Sequence, residues 1–503
     1  MLPYEKEKTD MLYIGIDLGT SAVKLLLVNE NGEILNEVSG EYPLYFPHPG
    51  WSEQNPEDWY KAVTDGLPKL LDGADKSQVR GIGVGGQMHG LVVLDKDDNV
   101  IRPAILWNDG RTEKQVEYLN NVIGRDRLSE YTANIAFAGF TAPKILWMKE
   151  NEPEKFSKIE KIMLPKDYIV YKLTGVHSCD YSDASGMLLL DVKNKCWSDE
   201  MINVCGIKKE QLPALYESYD IVGAVKNEIA EQFGLEDVKV VAGAGDNAAA
   251  AIGTGTVGEG KCNISLGTSG TIFISSENFG VDSNNALHSF AHADGNYHLM
   301  GCMLSAASCN KWFMDDILND KDYAALQAKI TDEMLGRNSV YFLPYLMGER
   351  SPINDVNARG TFTGMTMDTK REDMLLAVLE GVAFAIRDSF EKAKEQGIKI
   401  EASNICGGGA KSPLWQKIMA NVLGIRLDKV KTEQGPGYGG AILAMVGTGA
   451  YTDVNEACGK LVEISSSVYP DEKLTELYDK KYQNFSKIYP ALKEVFSEIK
   501  EEA

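Results

Sequence analysis

Apolar residues alternate with polar ones in three short runs near the start of the chain, over residues 12–18, 22–28 and 33–40. The second and third runs are joined by Asn31 and Gly32, and an Asn-Gly pair is a strong signal for a tight hairpin turn. Such alternation between turns is typical of strands in an antiparallel sheet. The pattern therefore predicts a β-meander of three strands.

Two helices are predicted from their ends and from their apolar spacing. The first begins near Asn55, which can cap it, and Pro56 suits its first turn, where two following carboxylates complement the helix dipole. The second covers residues 371–395, where apolar residues recur three or four positions apart. The residues of that stripe are Leu375, Leu379, Val382, Ile386 and Phe390. They indicate a buried helix face rather than a binding surface.

The second half of the chain repeats the plan of the first. In the first half, further strands are predicted to end at Gly86 and to lie at 91–94, 101–106 and 238–242. In the second half, strands are predicted at 262–266, 271–275, around 294–296 and at 404–406. A helix is predicted to follow residues 243–247, another to begin at Ser305, and the tail after Tyr451 is predicted to be helical. Meanders followed by helices, occurring twice, predict an α/β fold with two mixed-sheet domains at 11–257 and 258–503. Ligands usually bind between domains, so a central cleft is expected.

Length and charge narrow the class of protein. At 503 residues the chain exceeds the size of a single core, and 44% hydrophobic with 25% charged residues is ordinary for a globular protein. A net charge of −22 repels polyanions, which argues against nucleic-acid binding. No apolar run approaches the roughly 18 residues that span a bilayer, so no membrane association is expected.

The cysteines and the first ten residues indicate the cellular compartment, and the histidines bear on whether a structural metal site is expected. Eight cysteines without Cys-x-x-Cys spacing are expected to stay reduced, and residues 1–10 are too polar for a signal peptide. A cytoplasmic protein is therefore expected. His288, His292 and His298 have no cysteine companions, so a structural zinc site is not expected.

A turn rich in glycine and hydroxyl groups occurs twice, at residues 17–21 (Asp-Leu-Gly-Thr-Ser) and 266–270 (Leu-Gly-Thr-Ser-Gly). Such a turn can point backbone N–H groups and a hydroxyl at phosphate oxygens, and its glycine leaves room for them. For either copy alone, an ordinary hairpin turn is the better explanation. The repetition favours two turns that grip one polyphosphate.

Two aspartates follow predicted strands, and each has two interpretations. Asp17 heads the first turn, where it can hold a hydrated Mg²⁺ or accept bonds from nearby N–H groups. Asp246 follows Gly243 and Gly245 at the start of an alanine-rich helix. It is either an N-cap or a general base kept ionised by the helix N-terminus.

Three further segments carry candidate ligand contacts, although an ordinary turn also explains each of them. Residues 86–90 (Gly-Gln-Met-His-Gly) place an amide, an apolar side chain and an imidazole after a buried strand. Trp107 could offer a flat face to a sugar whose hydroxyls bond to Asn108 and Asp109. Residues 407–410 (Gly-Gly-Gly-Ala) would let a nucleotide approach the backbone closely.

Two near-motifs suggest other chemistry. Residues 255–262 resemble a P-loop, but Cys262 stands where a serine or threonine should bind Mg²⁺, so the P-loop interpretation is rejected. Residues 243–248 follow a strand and open a helix, as a dinucleotide-binding turn does, although Asp246 would then face a pyrophosphate. Because the order of strand, turn and helix fits, an oxidoreductase is kept as an alternative despite this objection.

In the order of its motifs the chain resembles the FGGY carbohydrate kinases and, within them, the xylulokinases. The resemblance covers residues 11–449. Its motifs lie at residues 14–21, 51–54, 86–90, 103–111, 139–144, 164–168, 245–249, 265–270, 304–309, 342–345 and 348–350. Glycerol kinases of this family carry Arg-Glu where this chain has Met-His, so the resemblance implies an uncharged ketose as substrate.

The resemblance also implies a fold and a set of roles. The fold would consist of two actin-like, hexokinase-like (ribonuclease H-like) ATPase domains that flank a central cleft and close over the substrates. Asp246 would be the catalytic base, and Asp17 would position the γ-phosphate and Mg²⁺, the latter through water. The substrate-binding residues would be Gln87, Met88, His89, Trp107, Asp109 and Asn247. The nucleotide-binding residues would be Thr20, Ser21, Gly267, Thr268, Gly408, Gly409 and Ala410.

The activity implied by the resemblance is ATP-dependent phosphorylation of D-xylulose, which gives D-xylulose 5-phosphate and ADP. The cofactors would be ATP and Mg²⁺, and the partners would be small molecules, with homodimerisation left open. Another sugar or polyol kinase, acting on D-ribulose for example, and a non-catalytic sugar sensor stay as alternatives.

Overall fold

The computed structural model describes residues 11–432 and 434–502. The expectation that no signal peptide is present concerns residues 1–10 and lies outside the described residues. The chain folds into two compact units. The first contains residues 11–257, 289–297 and 434–462, and the second contains residues 258–288, 298–432 and 463–502. The units are therefore not two consecutive stretches, and the division into functional domains at 257 stays a prediction.

Residues 11–257 form many short strands and helices. The strands are β1 (Leu12–Leu18), β2 (Ala22–Asn29), β3 (Ile34–Glu41), β4 (Glu53–Gln54), β5 (Val79–Gly86), β6 (Val92–Leu94), β7 (Ala104–Ile105), β8 (Lys161–Met163), β9 (Ser178–Asp180), β10 (Leu190–Asp191), β11 (Cys196–Trp197), β12 (Ala214–Tyr216), β13 (Ile221–Ala224), β14 (Lys239–Val241) and β15 (Ala244–Gly245). The helices are α1 (Pro56–Leu70), α2 (Glu113–Glu117), α3 (Arg125–Thr132), α4 (Thr141–Asn151), α5 (Pro153–Phe156), α6 (Pro165–Thr174), α7 (Tyr181–Ala184), α8 (Asp199–Cys205), α9 (Asn227–Phe233) and α10 (Asp246–Gly253). Short 3-10 turns lie at Lys76–Gln78, Ser185–Met187 and Lys209–Gln211, and a π-helical stretch lies at Tyr118–Gly124.

The rest of the chain has fewer and longer elements. The strands are β16 (Lys261–Leu266), β17 (Gly270–Ser276), β18 (His288–Ala291), β19 (Tyr297–Met303), β20 (Tyr341–Leu343), β21 (Thr361–Thr363), β22 (Ala402–Cys406), β23 (Arg426–Val430) and β24 (Ile464–Val468). The helices are α11 (Ala307–Lys311), α12 (Tyr323–Gln327), α13 (Arg371–Glu395), α14 (Pro413–Leu423), α15 (Gly435–Gly447), α16 (Val454–Leu461) and α17 (Glu472–Glu502). Short 3-10 turns lie at Asp332–Met334 and Gly409–Lys411, and a π-helical stretch lies at Trp312–Ile317.

The two units have main sheets of the same plan. In the first unit the order is β13-β14-β5-β1-β2-β3, with β1, β2 and β3 antiparallel and with β5 parallel to both β1 and β14. In the second unit the order includes β19-β17-β16-β22-β23-β24, with β16 and β17 antiparallel and with β22 parallel to both β16 and β23. Each sheet ends in an antiparallel strand, β13 or β24. The predicted α/β class with two mixed sheets is confirmed.

The observed ends of helices α1 and α13 agree with the sequence predictions, whereas one predicted strand is not observed at its predicted length. The side chain of Asn55 accepts a hydrogen bond from the Glu57 N–H at 3.3 Å and caps α1, as predicted. Helix α13 has the predicted bounds, and all five residues of its apolar stripe are buried. The predicted strand at 101–106 is wrong, because only Ala104–Ile105 pairs in a ladder. Pro103 has no N–H to give to a neighbouring strand, so the ladder begins after it.

The C-terminal helix α17 belongs to the core of the second unit. Tyr478, Phe485 and Phe496 are buried with residues of α13 and α14. The ammonium of Lys481 pairs with the carboxylate of Glu380 on α13 at 2.5 Å, and both side chains are almost fully buried. The tail after Tyr451 is helical in α16 and α17, as predicted, but strand β24 between them was not predicted, and α17 carries part of the apolar core of this unit.

Helix α15 packs on the sheet of the first unit through glycines. A β-carbon added to Gly15 on β1 would overlap the carbonyl oxygen of Gly437, and one added to Gly83 on β5 would overlap that of Gly440. Backbones can approach this closely only where no side chain stands between them. Residues 434–462 lie in the first unit as a result of this contact, which no local sequence pattern predicts.

No helix within residues 11–432 and 434–502 has both the length and the apolar character needed to cross a bilayer. Cys179, Cys205, Cys262, Cys309 and Cys458 are buried thiols.

Replacing Gly83 with alanine tests the glycine contact. The added methyl group would meet backbone rather than a flexible side chain, so we expect Gly83→Ala to destabilise the first unit by about 3 kcal/mol. Gly459→Ala is the matched control, because Gly459 is an exposed residue of helix α16 with open space around it. That change should be neutral or stabilise by about 0.5–1 kcal/mol. Thermal unfolding of the two variants checks both expectations, and equal midpoints would contradict the contact.

Candidate active site

The candidate site of the first unit lies at the carboxyl edge of its parallel strands. Strands β1, β5 and β15 run side by side, and Asp17, Gly85 and Ala244 occupy the same level in them. Because the carboxyl ends of parallel strands meet at one edge, the residues that follow these strands are gathered there. Asp17, residues 87–89 and Asp246 therefore come together, although they are far apart in the sequence.

Asp17 and Asp246 are partly buried carboxyl groups with raised pKa values. Burial, and to a smaller extent the charge of Asp17, raises the pKa of Asp246 to about 7, while the Asn247 N–H lowers it. Burial raises the pKa of Asp17 to about 6, against the opposing charge of Lys24. Carboxyl groups with such values change protonation near neutral pH. The pair can therefore accept a proton or attract a cation.

Asp246 does not cap the helix that follows it. It is the first residue of α10, and the N-cap position is taken by Gly245, which has no side chain. One carboxylate oxygen of Asp246 accepts hydrogen bonds from the backbone N–H and the side-chain amide of Asn247, at 2.7 and 3.0 Å. The capping interpretation of Asp246 is therefore wrong, and its carboxylate is oriented by the residue next to it.

His89 is held in an unusual conformation after β5. Its φ of 69° lies in the left-handed region, which residues other than glycine rarely adopt. Its Nδ1 lies 2.8 Å from the carbonyl oxygen of Gly186. Since a carbonyl oxygen only accepts, Nδ1 carries the proton of this hydrogen bond, which fixes the orientation of the ring.

Met88 packs against the residues around Asp246. A β-carbon at Gly245 would lie 2.9 Å from Cγ of Met88, so the absence of a side chain there makes room for it. The side-chain amide of Asn247 donates to the sulfur of Met88 at 3.8 Å. Three predicted site residues, Met88, Asn247 and Asp246, therefore form one group at this edge.

Gln87 supports the first glycine turn from inside. Its side chain is buried, and its amide donates to Gln54 Oε1 at 3.0 Å and to the carbonyl oxygen of Gly19 at 3.4 Å. Gln54 in turn donates to the carbonyl oxygen of Thr20 at 2.6 Å. Ser21, the last residue of the turn, is exposed. Gln87 thus braces the turn, and a contact between Gln87 and a sugar stays a prediction.

Trp107 and Asp109 have different surroundings, although they are neighbours in sequence. The Trp107 ring is 42% exposed, and its indole N–H donates to the hydroxyl of Thr20 at 3.0 Å. Asp109 is 2% exposed, and its oxygens accept bonds from the Arg111 guanidinium at 2.7 and 2.8 Å and from the Ser52 N–H at 2.6 Å. Asp109 therefore anchors Arg111, while Trp107 is partly exposed to solvent. A sugar contact of either residue stays a prediction.

The second glycine turn lies in the second unit, between β16 and β17. The carbonyl oxygen of Thr268 accepts from the Ala306 N–H at 3.0 Å and from the Ser308 hydroxyl at 2.7 Å. The carbonyl oxygen of Gly267 accepts from the Ala307 N–H at 2.9 Å. The start of α11 therefore holds this turn through its carbonyl groups.

Residues 407–410 lie against the second turn. Strand β22 is parallel to β16, so both end at the same edge, and a β-carbon at Gly407 would lie 2.7 Å from the carbonyl oxygen of Leu266. A β-carbon at Gly408 would meet nothing within 4 Å, whereas Gly409 and Ala410 are buried. The two predicted nucleotide-binding segments of this unit are therefore neighbours, and Gly408 has the more open backbone.

Two buried lysines behind the first-unit site were missed as functional candidates. Lys144 donates to the carbonyl oxygens of His89 at 2.8 Å and Gly139 at 2.7 Å, and burial lowers its pKa well below the usual range. Lys166 pairs with Asp167 at 2.6 Å and Asp180 at 2.9 Å. Both lysines lie in segments that carry the family resemblance, residues 139–144 and 164–168, but the sequence does not show that their side chains are buried.

No group of three or more His, Cys, Asp or Glu side chains within residues 11–432 and 434–502 stands close enough to hold a metal ion. Any ion at Asp17 would need most of its ligands from water or from a bound molecule.

Comparison with known proteins assigns the family. The N-terminal domain of the FGGY family of carbohydrate kinases matches residues 12–253, and the C-terminal domain of that family matches residues 262–448. The chain belongs to the FGGY family of carbohydrate kinases. It is thus a carbohydrate kinase by family, and the sugar kinases of this family use ATP as co-substrate.

Individual relatives of this FGGY kinase are similar over nearly their whole length. The xylulose kinase of Escherichia coli K12 is 40% identical over 96% of this chain and 99% of its own. The solved xyloylose kinase of Brucella ovis is 38% identical, with a TM-score of 0.91 over 96% of this chain and 100% of its own. A gluconate kinase of Lactobacillus acidophilus, 28% identical, also has a TM-score of 0.91, over 97% of this chain and 100% of its own. The fold alone therefore does not select the sugar.

Asp246→Asn should stabilise this FGGY kinase in a pH-dependent way. The pKa of Asp246 is raised from 3.8 to about 7 on folding, so the protonated acid favours the folded state and its ionisation costs stability as pH rises from 4 to 7. At pH 8 the uncharged asparagine should add about 4 kcal/mol of stability, and below pH 4 the difference should vanish.

Thermal midpoints measured from pH 4 to pH 8 check this expectation. The exposed turn residue Asp97 supplies the control, because its carboxylate is solvated whether the chain is folded or not. Asp97→Asn should change the midpoint little at any pH. A stabilisation by Asp246→Asn that is the same at pH 4 and pH 8 would contradict the electrostatic explanation.

Proposed function

We propose that this FGGY kinase transfers the γ-phosphoryl group of ATP to the 5-hydroxyl of D-xylulose, with Asp246 as the general base. The observation that carries the proposal is a carboxyl group with a pKa of about 7 in contact with the group formed by Met88 and Asn247. A base is most effective when its pKa lies near the working pH, because it is then both ionised and able to hold a proton. The similarity to xylulose kinases over nearly the full chain supports the choice of substrate.

The proton moves in one step of this mechanism. The ionised carboxylate of Asp246 accepts the proton of the sugar 5-hydroxyl. At the same time the hydroxyl oxygen of the sugar attacks the γ-phosphorus, and ADP leaves. The two bonds from Asn247 keep the carboxylate oriented, so little reorganisation is needed when the proton arrives. In the proposed site Met88 and His89 contact the sugar, the former through an apolar surface and the latter through its oriented ring.

Asp17 is proposed to hold Mg²⁺ through water. Its carboxylate is partly buried, and burial raises its pKa to about 6, so a nearby cation would relieve the cost of its charge. Mg²⁺ commonly binds to one or two carboxylates, water and substrate phosphates, which fits a site with a single such residue. When bound, the ion neutralises charge on the transferring phosphoryl group. Thr20, Ser21, Gly267, Thr268 and residues 408–410 are proposed to contact the nucleotide.

The charges behind the site favour an uncharged sugar. Lys144 is committed to two backbone carbonyl groups, and Lys166 is committed to two aspartates. Neither ammonium group is therefore placed to bind the carboxylate of a sugar acid such as gluconate. This supports a ketose as substrate.

We also propose a cellular compartment for this FGGY kinase. Five buried thiols and a requirement for ATP suit the reducing cytoplasm. A homodimer stays a prediction from the sequence.

Asp246→Asn should abolish most turnover, because the amide cannot accept the proton. We expect kcat to fall by about 10³-fold, within the range for loss of a general base, while the Kd for an ATP analogue changes little. A coupled assay of ADP release and calorimetric titration measure the two quantities. Asp97→Asn, the same chemical change at an exposed turn residue, is the control and should leave kcat unchanged. A near-normal kcat in Asp246→Asn would remove Asp246 from the mechanism.

His89→Ala tests the choice of sugar. We expect KM for D-xylulose to rise at least tenfold while KM for ATP stays within about threefold, because only the sugar loses a contact. His48→Ala is the control, since His48 is exposed. The assay should include D-ribulose, xylitol and gluconate. Unchanged constants in His89→Ala would remove this residue from the sugar site, and ADP release with none of these compounds would favour the sugar sensor.

A further inference from the structure

The backbone that leads to Asp246 has almost no side chains of its own to hold it. Residues 243–245 are Gly-Ala-Gly, and Gly243 has a left-handed φ of 76°. Glycine-rich backbone has many accessible conformations, so a fixed position must be imposed by contacts from elsewhere. The position of the Asp246 carboxylate depends on how this short segment is fixed.

Besides the pairing of β15 with β5, hydrogen bonds from other segments hold these residues and Ala242 before them. The Gly243 N–H donates to the carbonyl oxygen of Ser218 at 2.9 Å, and the ammonium of Lys166 donates to the carbonyl oxygen of Ala242 at 3.2 Å. The third bond reaches the residue directly before the proposed base, where the Gly245 N–H donates to the hydroxyl oxygen of Ser182 at 3.2 Å. Ser182 is therefore the side chain that holds the backbone nearest to Asp246.

The Ser182 hydroxyl is itself held by a buried charge pair. It donates to one carboxylate oxygen of Asp180 at 2.5 Å, and the other oxygen of Asp180 lies 2.9 Å from the ammonium of Lys166. All three side chains are almost completely buried. Burial opposes the charge on Lys166, but Asp167 and Asp180 outweigh it and raise the lysine pKa well above its usual range. The oxygen of Asp180 that does not face Lys166 is therefore a directional acceptor for the hydroxyl.

A second serine bonds to the same carboxylate oxygen. The hydroxyl of Ser218 donates to Asp180 at 2.8 Å, the same oxygen that accepts from Ser182. Both serines are buried. Only Ser182 also accepts the Gly245 N–H. The chain thus contains two buried serines that differ in whether their hydroxyl touches the backbone before Asp246.

We propose that Ser182 is a positioning residue, which holds the Gly245 N–H and thereby keeps the Asp246 carboxylate in place for proton transfer. The inference rests on the proposed function of Asp246. The buried side chains of Lys166, Asp180 and Ser182, which bond to one another in that order, then orient the base in addition to filling the interior of the unit.

Ser182→Ala and Ser218→Ala form a matched pair for the test. Each removes one hydroxyl donor from Asp180, so both should lower the thermal midpoint, Ser182→Ala by more because it also loses the bond to Gly245. Ser182→Ala also leaves the Gly245 N–H without its acceptor, and we expect kcat to fall at least tenfold while KM for sugar and ATP stays within about threefold. In Ser218→Ala kcat should stay within about twofold of the wild type. Equal losses of kcat in the two variants would show a merely structural role and overturn the proposal.

Hydrogen exchange supplies a readout that does not depend on turnover. In Ser182→Ala the backbone amides of residues 243–249 should exchange at least tenfold faster than in Ser218→Ala, because Gly245 is released. The same exchange rates in both variants would overturn the anchoring by Ser182. A catalytically normal Asp246→Asn would overturn the proposed function alone, since exchange decides the anchoring without any assay of activity.

Discussion

The in-register parallel pairing of β1, β5 and β15 is the constraint on which the first-unit site depends. Asp17, Gly85 and Ala244 share one level of the sheet, so the three segments that leave these strands must share one edge. The hydrogen-bond ladder sets this register, and a slip of one residue would turn Asp17 to the opposite face. Glycines at positions 85, 86 and 245 leave room for the side chains that lie on the edge, among them Met88 and Lys166.

The chemical character of the site comes from burial and from neighbouring charges. Two aspartates that would be ordinary acids in water have pKa values of about 6 and 7, because the sheet edge removes water from them. Ionised carboxylates at this edge reduce the stability of the unit, and the surrounding fold compensates for that cost. Two buried lysines hold the structure behind these acids: Lys144 fixes the carbonyl group of His89, and Lys166 anchors the aspartate that supports Ser182.

The main sheets of the two units share one plan, and different residues lie at the carboxyl edge of the parallel strands in each unit. In the first unit the edge carries carboxyl groups and the candidate sugar contacts, whereas in the second it carries a glycine turn and residues 407–410. The shared topology of meander, two parallel strands and an antiparallel end strand explains why similar Gly-Thr-Ser turns occur in both halves. A hairpin between the first two strands of such a sheet must lie at the carboxyl end of the first strand.

The sequence alone determined the local elements, the repeated turns and the family, because capping residues, apolar spacing and motif order are properties of neighbouring residues. Helix α13 and the Asn55 cap agree with prediction for this reason. Only the tertiary structure decided that Gly245 rather than Asp246 occupies the N-cap, that Asp109 is bound to Arg111, and that residues 434–462 join the first unit. Those outcomes depend on contacts between distant segments, such as the glycine faces of β1, β5 and α15. Such contacts leave no periodic pattern in the chain, since a glycine needed for close packing looks the same as a glycine needed for a turn.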